Sequence, residues 1–73
     1  MEQKFRDILA FNIKMERIRK KLTQEKLAEQ IDISTKHITK IESGLATPSV
    51  YLVYKIAKVL DVKIDDLVTE YKR

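Results

Sequence analysis

Leu22-Thr-Gln-Glu-Lys-Leu-Ala-Glu-Gln-Ile-Asp-Ile-Ser-Thr-Lys-His-Ile-Thr-Lys-Ile-Glu-Ser-Gly44 holds two short helical patterns separated by a three-residue break. Thr23 is placed to cap the first pattern, a helix over 24–30 whose apolar residues Leu27, Ala28 and Ile31 fall on one face. Asp32-Ile33-Ser34 interrupts the period. Ser34 is a second cap, and the helix that follows buries Ile38 and Ile41 at i, i+3. Gly44, the only glycine of the chain, supplies the left-handed residue that ends it. Two short helices joined so tightly, with small Ala28 where they cross, are the sequence pattern of a helix-turn-helix over 23–43.

Upstream, the apolar spacing predicts a helix over 4–20 with two adjoining stripes, Phe5/Leu9/Ile13 and Ile8/Phe11/Met15/Ile18/Leu22. Two stripes exceed one core face: either both pack within one small globule, or one meets a second subunit. Downstream, Pro48 disfavours helix at Thr47 and Ser49 caps a fourth helix, 49–60, with Leu52 or Val53, Ile56, Val59 and Leu60 inward and Ala57 allowing close approach. Asp61 stands where a glycine is expected. A fifth helical piece over 64–70 opens with Asp65 and Asp66, the favourable charge for a helix start, and Tyr71-Lys72-Arg73 is expected to fray.

Composition narrows the possibilities. The chain has 73 residues, 36% charged and 44% apolar, too hydrophobic for disorder, and a composition so poor in glycine and proline points to an all-helical bundle. No cysteine and one histidine exclude disulfides and multi-histidine or cysteine-ligated metal sites, so no cofactor is expected. No apolar run nears the roughly 20 residues that span a bilayer, and no signal peptide opens the sequence, so a soluble cytoplasmic protein with no membrane partner is expected. An enzyme is disfavoured because the scattered carboxylates and lone His37 offer no nucleophile and base pair. The formal net charge is +4, and all of that excess lies in residues 1–40, with ten Lys+Arg against six Asp+Glu.

The stretch from Leu22 to Gly44, with Leu-Thr-Gln, Leu-Ala and Ile-Glu-Ser-Gly in register, resembles the Cro and phage-repressor helix-turn-helix family of bacterial regulators, also called the xenobiotic-response-element family. Thr47-Pro48-Ser49 and Lys55-Ile-Ala-Lys-Val-Leu-Asp-Val-Lys-Ile-Asp-Asp-Leu67 are similar to its fourth and fifth helices, so the resemblance covers about residues 9–68. It implies a compact five-helix lambda-repressor-like fold that binds double-stranded DNA, with the helix after Ser34 in the major groove. Two usual glycines are missing: Asp32 stands in the turn between the helices and Lys21 before Leu22, which leaves the register of helix one open.

By the same resemblance, Thr35, Lys36 and Lys40 match base-reading positions, flanked by Ser34 and Thr39. Lysine donors suit guanine O6 and N7, and a threonine methyl suits thymine. Thr23, Gln24, Ser43 and Gly44 match phosphate-contacting positions, with Arg17, Lys21 and His37 adding charge nearby; His37 is read as a phosphate neighbour rather than a pH switch. Glu42 would repel phosphates unless paired with Arg17, as the family pairs it, or with Arg19 if helix one is shifted. A homodimer is implied, through Val62, Ile64, Leu67 and Val68, with Tyr51 and Tyr54 as the alternative surface. A dimeric repressor on a palindrome-like operator is the first expectation; an antitoxin, a restriction-modification controller or a protein-interaction module with this fold are the alternatives. No small-molecule ligand is expected, the 73 residues being read as a DNA-binding domain without a sensor domain.

Overall fold

In a computed structural model, which describes residues 3–70, the chain forms five helices: α1 (Gln3–Arg19), α2 (Gln24–Gln30), α3 (Thr35–Glu42), α4 (Val50–Leu60) and α5 (Ile64–Val68). The expectation for Tyr71-Lys72-Arg73 lies outside the described residues. Helices α2 and α3 pack on each other, and α1 lies against α3 and α5. Leu9, Ile13, Leu27, Ile31, Ile38, Ile41, Ile56, Leu60 and Leu67 are essentially inaccessible.

Helix starts follow the capping residues of the sequence. Thr23, Ser34 and Ser49 sit in extended conformation, and each side-chain oxygen accepts from the backbone N–H three residues on, that of Lys26, His37 or Leu52. At α5, Lys63 offers no acceptor, and the reciprocal half of a capping box operates instead: the Asp66 carboxylate accepts from the Lys63 N–H at 3.1 Å.

Helix ends are more uniform still. The chain turns left-handed after four helices, at Lys21 (φ 59°), Asp32 (φ 61°), Gly44 (φ 78°) and Asp61 (φ 59°). At each, the next residue's N–H reaches back five residues: Leu22 to Arg17, Ile33 to Ala28, Leu45 to Lys40 and Val62 to Ala57, at 2.9–3.1 Å. This is a Schellman closure, in which an apolar residue follows the left-handed one and returns to the helix it has just left. Leu22, Ile33 and Val62 pack against the core in this way, whereas Leu45 stays 72% exposed. Three connectors thus share one grammar: left-handed residue, apolar anchor, cap, as Lys21-Leu22-Thr23, Asp32-Ile33-Ser34 and Asp61-Val62-Lys63.

Three expectations change. Of the two stripes, Phe5/Leu9/Ile13 faces inward; in the other, Leu22 packs against the core and Ile8 is half-buried, but Phe11, Met15 and Ile18 are 42–49% exposed, so the second stripe packs within the globule only at its ends. Helix α5 ends at Val68 rather than residue 70, because buried Asn12 draws the chain out of helix: its Nδ2 donates to the Leu67 carbonyl at 2.9 Å and to that of Thr69, already extended, at 2.8 Å. Leu67, expected on a dimer surface, is wholly buried and belongs to the core.

Candidate nucleic-acid interface

One face of α3 is buried and the opposite one is charged. Ile38 and Ile41 have 0% and 1% exposure, pinning α3 to α1 and α2, while Ser34, Lys36, His37, Thr39 and Lys40 are exposed and Thr35 is half-buried. At 100° per residue Lys36 and Lys40 lie on one face, with Thr35 and Thr39 on the flank toward α2 and His37 on the other. Neither lysine has an ion-pair partner among the described residues. Ser34, Lys36, His37, Lys40 and Ala46 line a shallow, open groove. The Ser34 hydroxyl caps the helix and that of Ser43 donates to the Lys40 carbonyl at 3.1 Å, so both serve α3 itself from exposed positions.

Behind this surface a hydrogen-bonded chain ties three helices together. The Arg17 guanidinium grips Glu42 in a two-pronged pair, Nε to Oε2 at 2.7 Å and Nη2 to Oε1 at 3.0 Å, and donates through Nη1 to the Leu22 carbonyl at 2.6 Å. Gln24 Nε2 donates to Glu42 Oε1 at 3.0 Å, and its Oε1 accepts from the Thr39 hydroxyl at 2.8 Å. Side-chain exposure is 11% for Arg17 and 2% for Glu42. The acidic group is therefore withdrawn from the surface and neutralised, with the ion pair falling to Arg17; Arg19 lies beside Glu16 instead, at 3.5 Å. Arg17, also expected near phosphate, commits three of its five donors inward and is buried.

The remaining candidates stand around the exposed face. Thr23 and Lys21 are exposed at the entry to α2, and Gln24 is half-buried there. Gly44 is buried at the end of α3; its carbonyl accepts from Gln3 Nε2 at 2.9 Å, so α1 holds the turn that follows α3. Of the expected dimer residues, Ile64 is 39% exposed, while Val62 and Val68 are half-buried against the core. Helix α4 shows the larger apolar surface: Val50 is 83% and Tyr51 67% exposed, and the Tyr51 and Tyr54 rings stack with centroids 6.4 Å apart. Sequence reasoning missed the Thr39 to Gln24 link, since a hydroxyl on the outer half of α3 carries no sign of which neighbour it serves.

A capped helix, a short turn with Asp32 left-handed and a second helix presenting two lysines opposite its buried face define a helix-turn-helix domain. Residues 13–67 match the helix-turn-helix family model HTH_3, and the chain belongs to that family. An uncharacterized HTH-type transcriptional regulator of Methanocaldococcus jannaschii is 48% identical over 46 residues, which cover 63% of this chain and 70% of that protein. The HTH-type transcriptional activator BcrR of Enterococcus faecalis is 41% identical over 63 residues, 84% of this chain but 31% of BcrR. Among solved structures, the SOS-response transcriptional repressor LexA from Eubacterium rectale superposes with a TM-score of 0.89 at 23% identity, covering 94% of this chain and 73% of that one. The restriction-modification controller protein C.AhdI from Aeromonas hydrophila gives 0.81 at 24% identity, with 85% and 94% covered. These structures share the fold.

Proposed function

We propose that the chain is a transcriptional regulator that binds duplex DNA sequence-specifically, as a homodimer on a palindrome-like operator, and represses by occupying it. The observation that carries this reading is the exposed face of α3, where Lys36 and Lys40 project without acidic partners among the described residues from a helix locked on its other side by Ile38 and Ile41. Lysine is a donor without an acceptor, so Lys36 and Lys40 select guanine O6 and N7, with the Thr35 methyl available to thymine. Lys21, His37 and Thr23 supply backbone contacts, which fix register without reading sequence, while the Ser43 hydroxyl is already given to the Lys40 carbonyl. Ser34 acts chiefly as the cap of α3.

A single helix of eight residues reaches too few bases for useful discrimination, and a two-fold dimer doubles the contacts over half-sites about 34 Å apart. With Leu67 in the core, the dimer surface moves to the exposed apolar side of α4, Val50, Tyr51 and Tyr54, with Ile64 beside it. Tyrosine pairs suit such a surface, because a rigid ring contributes area at small entropic cost.

Selection from random duplex DNA tests the reading. Enrichment of a palindrome-like site containing guanine, and loss of preference in Lys36→Ala/Lys40→Ala, are expected; if the double variant discriminates as wild type does, α3 is not the reader. Affinity should fall steeply with salt, the slope reporting the number of phosphates neutralised. Sedimentation of Tyr51→Glu/Tyr54→Glu should show a monomer, and an unchanged dimer would move the interface elsewhere.

A further inference from the structure

We infer that Thr39 is a positioning residue for a phosphate contact and not a reader of bases: it holds the Gln24 carboxamide in the one orientation that presents an N–H to the DNA backbone. The inference rests on the DNA-binding reading above and assigns a mechanism within it.

The orientation of Gln24 is fixed at both ends. Its Nε2 lies 3.0 Å from Glu42 Oε1, and a carboxylate only accepts, so the amide nitrogen must face it. Turned over, the Gln24 oxygen would confront the carboxylate with no proton between them. The oxygen therefore points at Thr39, whose hydroxyl donates to it at 2.8 Å, with the Thr35 carbonyl a second acceptor at 3.1 Å. Glu42 in turn cannot rotate away, because Arg17 grips both of its oxygens. Gln24 Nε2 has two hydrogens and spends one on Glu42. The other belongs to a half-buried side chain at the junction of α2 and α3, beside the lysine face.

Two consequences follow. The Thr39 hydroxyl is already engaged with the protein, so Thr39 contributes no hydrogen-bond donor to the bases, and reading falls to Thr35, Lys36 and Lys40. The backbone donor is pre-oriented before DNA arrives, so less side-chain freedom is lost on binding.

The test is a double-mutant cycle with the full chain, using a duplex selected as above and a shuffled duplex of equal length and composition. Thr39→Val keeps the branched shape and removes the hydroxyl; it should weaken binding to both duplexes by the same factor, about 2–10-fold, the range of one hydrogen bond. Its base preference should match wild type and its melting should fall by only a few degrees, the share of one lost intramolecular hydrogen bond, and Thr39→Ser should restore affinity to within about twofold, since the serine hydroxyl can make the same bond. In the Gln24→Ala background, Thr39→Val should cost nothing further. A loss confined to one base pair of the selected site, additive losses in the double variant, or full affinity in Thr39→Val would each overturn the assignment. Failure of wild type to prefer any duplex would remove the DNA-binding reading itself; wild-type preference with an additive cycle removes only the role given to Thr39.

Discussion

Replacing Arg17 by methionine should destabilise the fold by an amount that only a buried ion pair explains. The Glu42 carboxylate, 2% exposed, takes two donors from Arg17 and one from Gln24. In Arg17→Met it keeps one neutral donor and no opposite charge, and an uncompensated buried charge costs about 3–5 kcal/mol. The Leu22 carbonyl loses its Arg17 donor as well. A chain of 73 residues has a total stability of about 4–11 kcal/mol at typical values per residue, so the single variant loses from about a quarter of it to all of it. Glu42→Met leaves Arg17 with one carbonyl acceptor and should cost about 2–4 kcal/mol, because an arginine can carry part of its charge toward water along its stem. With both charges gone, Arg17→Met/Glu42→Met should be more stable than Arg17→Met alone, since apolar replacement of a buried pair is often close to neutral. Urea unfolding followed by far-ultraviolet circular dichroism at 0.1 M and 1 M salt measures the cycle. The coupling should survive high salt, as screening acts weakly on buried pairs. Additive single losses, or a cost for Arg17→Met below about 1 kcal/mol that vanishes in salt, would place the pair among solvent-exposed ones and refute the reasoning.

Gly44→Ala should destabilise by about 1–2 kcal/mol through its left-handed φ of 78°, and by more through the new Cβ, which would lie 2.7 Å from Asp7 Oδ1. Adding Asp7→Ala should recover the second share and leave the first, as measured by thermal melting. Asp61→Asn should stabilise by about 0.3–1 kcal/mol at low salt, because Asp61 puts a negative charge at the carbonyl end of α4, and the gain should shrink in 1 M salt. Asn12→Leu leaves the Leu67 and Thr69 carbonyls without their side-chain donor and should cost about 1–3 kcal/mol, with amide exchange in α5 accelerating before that in α3. Leu67→Asp should unfold the chain, seen as lost helical dichroism, rather than yield a folded monomer.

Features written in local chemistry were legible in the sequence. Thr23, Ser34 and Ser49 announce helix starts because a side-chain oxygen three residues ahead of a free amide is a local relation, and Ile38 and Ile41 announce the buried side of α3 by spacing alone. Asp32 and Asp61 take the left-handed geometry expected of them. What escaped depends on partners distant in the chain. Leu67 has the same polarity and period whether it faces a neighbour or the core, and only the packing of α1 on α5 decides. The early end of α5 is set by Asn12, more than fifty residues away. Arg17 was recognisable as the mate of Glu42, but the third donor that turns it wholly inward goes to a backbone carbonyl, which no residue type reveals.

The connector Asp32-Ile33-Ser34 sets the phase of the reading surface. Each of its residues has a fixed task, the first in left-handed geometry, the second anchored to the core and the third capping α3, so it contains no slack. A residue inserted nearby must be absorbed by α2 or α3, and in a helix one residue is about 100° of rotation. Such a slip would swing Lys36 and Lys40 away from solvent toward the side occupied by Ile38 and Ile41, so the segment tolerates changes of residue type far better than changes of length.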